Sequence, residues 1–244
     1  MEVFFNDLKR QFILNFIEKD RWKLMVTGLE NTLKITIVAA LIGIVIGILL
    51  ASIRSTYDKQ YETLKKHRGF KYYVLSFLNF IAQVYLTVIR GTPVVVQLLI
   101  AFFIIFASAK NGVAIAMLAF GINSGAYVAE IFRGGIMSID NGQFEAGYSL
   151  GFNYFQTMIF IVIPQVLKNV LPMLLNEFIA LLKETSVAGY VAVTDITRAG
   201  NVIRGTTFSP FMPLIAVALF YLIMVMILTQ VVKRVERRLR KSER

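Results

Sequence analysis

Two charged residues lie where charge is costly. Arg90 is the single charge among the 38 positions from 72 to 109, and Glu177 sits in a largely apolar stretch around 170–190. Charged side chains in such surroundings face a protein-lined cavity, where they hold a ligand or bridge to one another. Gly91 and Pro93 interrupt the helix beside Arg90, and broken helix at membrane depth is tolerated where it lines an enclosed path. Thr92 and Asn123 could add hydrogen bonds there, although polar residues also join membrane helices to one another. Glu177 and Glu184 are seven apart and share a helix face, with Lys183 one position off it. This is binding chemistry, not catalysis. The chain has no cysteine, its one histidine is His67, and its carboxylates are scattered, so no catalytic or metal site is expected.

The elements that carry these residues follow from composition. With 57% hydrophobic and 17% charged residues, the 244-residue chain holds more apolar surface than a soluble domain of that length needs. The uncharged runs 35–53 and 111–129 are 19 residues each, close to the ~20 that cross a hydrocarbon core. Residues 72–109 as one helix would measure ~57 Å, too long for one simple crossing. Counted once, with a break near Gly91 and Pro93, that segment gives five spans at 28–53, 74–106, 112–132, 170–190 and 211–232. Fifteen basic residues then fall on one face and eight on the other, whereas six spans give nine against fourteen. Cytoplasmic loops collect Lys and Arg, so five spans is the consistent count, with the N-terminus outside and the C-terminus cytoplasmic. The net charge of +11 is read as this topology signal, and nucleic acid is not an expected partner. The fold expected is an all-α integral membrane protein. It has an N-terminal extracytoplasmic segment 1–27 without a signal-peptide core, a transmembrane domain 28–232 and a basic tail 233–244. Gly43 with Gly47, and Gly121 with Gly125, have the four-residue spacing that lets helices approach closely.

Between Arg133 and Lys168, Gly134, Gly135, Gly142, Gly147, Gly151 and Pro164 are expected to break the chain into short helices at the cytoplasmic face. Within it, EAGYSLGFNYFQTMIFIVIP resembles the cytoplasmic signature of ABC importer permeases, E-A-A, three residues, G, nine residues, I-x-L-P. Glu145, Ala146, Gly151, Ile161 and Pro164 are in register; Gly147 stands where the pattern has Ala and Ile163 where it has Leu. The resemblance implies a type I ABC importer permease fold. Its coupling loop, about 134–165, would seat on an ATPase subunit, with Gly151 making the tight turn and Glu145 a charged contact. No G-x-x-x-x-G-K-[ST] phosphate loop occurs, so this chain is expected to be no enzyme and to bind no cofactor, the ATP-Mg being used by the partner ATPase.

The blocks GLENTLKITI (28–37), VIRGTPVVVQ (88–97), NSGAYVAEIFRGGI (123–136) and NEFIALLKETS (176–186) extend the resemblance to the polar amino-acid uptake branch over nearly all of 28–239. What this implies is an amino-acid cargo, a second permease subunit (identical or sister), a dimer of ATP-binding cassette ATPase subunits, an extracytoplasmic amino-acid-binding protein, and a prokaryotic cell (plasma or inner) membrane. A zwitterionic cargo suits Arg90 for the carboxylate and Glu177 for the ammonium, or the two form a structural bridge. Two acids on one face lean the cargo toward Arg, Lys or His; glutamine, glutamate or cystine is the alternative. A secondary transporter would need an internal repeat, which is not found, and a membrane scaffold would give Arg90 and Glu177 no purpose. Glu130 and Arg133, at i,i+3 spacing, are expected to form a structural pair.

Overall fold

No glycine or proline occurs from 48 to 68, so nothing in the sequence stops the first long helix at Ile53. In the computed structural model it runs as α2 from Trp22 to Lys66, and most of the segment expected as the Arg54–Lys71 loop is helix. The structure describes residues 2–66 and 69–241 of the backbone and the side chains of 5–61, 65–66 and 69–239; His67 and the last residues of the basic tail lie outside it. A short α1 (Glu2–Phe12) precedes α2.

α3 (Phe70–Gly91) ends at Thr92, which is extended at φ −123° and ψ 144°, as the residue before a proline prefers. The chain then re-enters helix as α4 (Val94–Ile100), so the expected break lies where Gly91 and Pro93 put it. α5 (Gly112–Met137) continues through Gly134 and Gly135, both of which were expected to break it. Gly135 serves close packing instead, since a Cβ there would fall 2.2 Å from the Val170 side chain. After α6 (Asn141–Ser149), α7 (Tyr154–Thr157) runs on into α8 (Ile163–Glu184), so Pro164 does not end a helix as expected. The reason is a wide π turn over Met158–Val162, closed by the Ile163 N–H on the Met158 carbonyl. Pro164 follows it directly, where a missing N–H is tolerated. α9 (Ile196–Thr207) and α10 (Met212–Lys241) complete the chain.

Among the described residues, five helices are long and apolar enough to cross a membrane: 22–61, 70–91, 112–137, 154–191 and 212–239. Their outer faces are apolar and open, with Val45 60%, Leu49 60% and Ile227 59% exposed, as lipid-facing residues should be.

The chain divides into two compact units. One comprises Met1–Ala39, Val94–Phe120 and Ile179–Val231. Its core joins Phe16 and Met25 to Ile196, Ala199, Ile203 and Val217. Buried Asn15 donates to Ser209 (3.0 Å) and accepts from Thr207 (2.7 Å), which pins the N-terminal segment. Asp195, fully buried, caps α9 by accepting from Thr197 N–H (2.9 Å) and Arg198 N–H (3.1 Å). Burial pushes its carboxyl above the usual range, against the lowering effect of those two donors.

The other unit comprises Ala40–Pro93, Gly121–Phe178 and Val232–Arg244. Its core includes Ala51, Val128, Phe132, Ile136, Val166 and Val170. Three of the four expected glycines bring α2 and α5 close: a Cβ on Gly43 would meet Ser124 Oγ at 2.9 Å, on Gly47 Val128 at 2.4 Å, and on Gly125 Ile46 at 2.8 Å. α2 and α5 therefore pack at near-backbone distance there. The candidate functional residues sit on this unit.

Candidate functional site

The loop that follows α5 is built from local backbone rules. Asp140 caps α6, its carboxylate accepting from Gly142 N–H at 2.6 Å. At the other end Gly151 adopts φ +81°, the left-handed region that a Cβ disfavours. Its N–H reaches the Tyr148 carbonyl (2.9 Å) while Phe152 N–H reaches Gly147 (3.1 Å), the bond pair of a Schellman helix end. Asn153 and Gln156 then start the next helix with reciprocal 2.9 Å capping bonds. Gly147 is the contact point between the two helices: a Cβ there would lie 2.7 Å from Thr157 and 3.2 Å from Ile161.

Of the six loop residues singled out by sequence, Gly147 and Ile161 thus face inward, while Glu145, Ala146, Gly151 and Pro164 are exposed. Leu150, 72% exposed, and Tyr148 stand beside them. Glu145 also lines a groove of about 460 Å³ with Lys59, Asn141, Tyr148 and Tyr154. Lys59 crosses to the loop, donating to Asn141 (2.7 Å) with its ammonium 4.7 Å from the Phe144 ring centre. The arrangement is a short helix capped at both ends, with an exposed acid-and-apolar face.

The charged residues form a ladder. Arg90 pairs with Glu130 at 4.0 Å and lies 5.7 Å from the centre of the Tyr127 ring. Glu130 also accepts from Arg133 (3.2 Å), as its i,i+3 spacing predicts, and Arg133 reaches Asp58 on α2 (3.3 Å). The pairing of Arg90 with Glu177, offered as a structural bridge, is therefore replaced by one with Glu130, which places two acids against two arginines across α2, α3 and α5. Glu177 on α8 accepts instead from the buried Ser124 hydroxyl at 3.2 Å. Asn123, next to Ser124, is 2% exposed and shares a face of α5 with Tyr127 and Glu130. Thr92 is exposed and donates to the Val88 carbonyl at the end of α3 (2.9 Å).

Ser124, Tyr127 and Asp58 were missed by sequence reasoning. Asp58 had a signal, namely the absence of any helix breaker from 48 to 68; the other two had none beyond lying in the 123–136 block.

Comparison with known proteins agrees with this architecture. Residues 68–241 match the family described as the binding-protein-dependent transport system inner membrane component. The chain belongs to that family. It is 36% identical to the arginine transport system permease protein of Bacillus subtilis, over 88% of this chain and 92% of that one. It is also 36% identical to the glutamine transport system permease protein of Escherichia coli K12, over 89% and 93%. Among solved structures it resembles an amino acid ABC transporter crystallised with histidines, at TM-score 0.76 and 35% identity over 88% of this chain and 94% of that one. A methionine ABC transporter in an inward-facing conformation shares the fold at TM-score 0.75 and 18% identity, over 91% and 99%.

Proposed function

We propose that this chain is the membrane-spanning permease subunit of an ABC importer that carries a polar amino acid into the cytoplasm, with α6 as its contact to the ATPase. The observation that carries this reading is the α6 loop, closed at both ends by backbone bonds and presenting Glu145 and Ala146 outward. A helix held this way transmits displacement instead of absorbing it. In this reading ATP-Mg is bound and used by a dimer of ATPase subunits, the loop and basic tail are cytoplasmic, and the N-terminus is outside. A second permease subunit completes the path, and an extracytoplasmic binding protein delivers the cargo.

Amino-acid cargo is supported by the arginine and glutamine systems among the relatives. A basic amino acid is favoured further by the ladder. Arg90 is engaged by Glu130 and Tyr127, so its charge is balanced. Glu177 supplies an acidic group for a cationic cargo. Glutamine remains the second reading because that system's permease is equally similar.

The test is ATP-dependent uptake of a labelled amino-acid panel in proteoliposomes containing the chain, its second permease subunit, ATPase and binding protein. Uptake of one polar class, abolished by Glu145→Arg and shifted in selectivity by Glu177→Gln, is the expected result. Uptake of no amino acid by an assembled, ATP-hydrolysing complex would reject the cargo reading.

A further inference from the structure

A second cavity, of about 330 Å³, lies between α2, the end of α5 and the start of the helical run 154–184. That volume is at the lower end of the range, about 300 to 1,000 Å³, that small-ligand sites occupy. Its inner wall is the unit's own core, with Ala51, Phe132, Ile136 and Val166 all buried. The rim is different: Ile48, Phe155, Ile159 and Leu167 are 40–70% exposed, and they stand on helices long and apolar enough to span a bilayer. The mouth is thus apolar and lies on candidate membrane spans, and an apolar cavity open to lipid fills with what lipid offers.

One end of the cavity is polar in a way the fold does not use. Ser55 lines it, is 1% exposed, and its hydroxyl has no hydrogen-bond partner. The Tyr154 hydroxyl beside it is also buried and lies against the Thr56 side chain. Ser52, by contrast, is satisfied within its helix by the Ile48 carbonyl (2.7 Å). Buried hydroxyls are normally partnered, so the idle Ser55 donor at the edge of an apolar slot calls for an acceptor that arrives with an apolar tail.

We infer that this cavity is a binding site for one acyl chain of a membrane phospholipid, whose ester or phosphate oxygens accept from Ser55. Tyr154 also walls the groove that holds Glu145, so the bound lipid braces the base of the α6 loop. The site stands on the membrane-spanning fold and does not depend on which solute is carried.

The test uses the assembled transporter in nanodiscs made with a phospholipid bearing a diazirine in its acyl chain. After illumination and proteolysis, adducts are expected on inner-wall residues Phe132 and Ile136, which the bulk bilayer does not reach. Ser52→Trp, which plugs the mouth from an exposed position, should remove those adducts while leaving adducts at Ile227 on α10 unchanged. If Ser52→Trp does not assemble, Ser55→Ala decides: a several-fold fall in the inner-wall adducts is expected. Adducts confined to exposed residues in the wild type, or inner-wall adducts unchanged in the variant, would overturn the inference. Inner-wall protection that persists without lipid and vanishes when the permease subunits are separated would show that a partner chain fills the slot.

Discussion

The α6 loop and the Asp58–Arg133–Glu130–Arg90 ladder are both polar devices on one unit, yet they are held in opposite ways. The loop is closed by bonds between residues two to five apart in sequence, most of them involving the backbone. The ladder depends on long side chains meeting across three helices, at 3.2–4.0 Å. Backbone closure fixes one geometry, since each bond constrains the next. Side-chain ion pairs can be exchanged at little cost, so a ladder can re-pair when its helices shift. In the proposed function the loop transmits force and the ladder follows it.

Five changes, taken in turn, sharpen or break this contrast. Glu130→Gln strips the shared acid from Arg90 and the half-buried Arg133, and should lower stability by about 2 kcal/mol, the scale of hydrogen bonds to charged groups. Arg90, 45% exposed on its side chain, should matter far less on removal, about 0.5 kcal/mol after solvent screening. Thermal unfolding of the two variants in nanodiscs ranks them, and equal losses would break the ladder description. Gly151→Ala forces a Cβ into left-handed backbone and should cost about 1 to 2 kcal/mol. Its uptake should fall further than its stability, measured as transport per ATP hydrolysed.

Gly147→Ala should cost about 1 kcal/mol through the contact with Thr157, and Thr157→Ala should restore it in a double-mutant cycle; additive losses would deny that α6 and α7 touch there. The smallest effect is expected outside this unit, at Asp195. Its carboxyl is raised by burial, so the folded state holds that proton more tightly than the unfolded chain does. The resulting stabilisation is present below the unfolded value and lost as pH rises through the folded one. Asp195→Asn keeps a capping side chain, so it should match or slightly exceed wild type at pH 7 and lose that advantage toward pH 4, read from unfolding midpoints across that range.

The same contrast explains what sequence could reveal. The loop was legible because Gly151 reports backbone geometry, whereas Pro164 lies inside a helix that continues past it, and the five spans were legible because apolar length is set by the bilayer. Helix ends were read too short where the bilayer ceased to be the constraint, as at Lys66, which is helical because nothing breaks the chain before it. Gly134 and Gly135 misled because a glycine can mark close packing as readily as a break, and only Val170 beside Gly135 decides between them. Arg90 was recognisable as a costly charge, but its partner was not, because Glu130 and Glu177 are equally apt until the helices are placed.

The central claim is that α6 is where the ATPase engages this chain. Because the sequence contains no cysteine, a single cysteine at the exposed Ala146 gives a clean probe. In the assembled transporter a short cross-linker from Ala146→Cys should capture the ATPase subunit, and from Phe12→Cys, on the N-terminal segment, it should not. Capture from Phe12→Cys, or none from Ala146→Cys in a complex that still transports, would contradict the account.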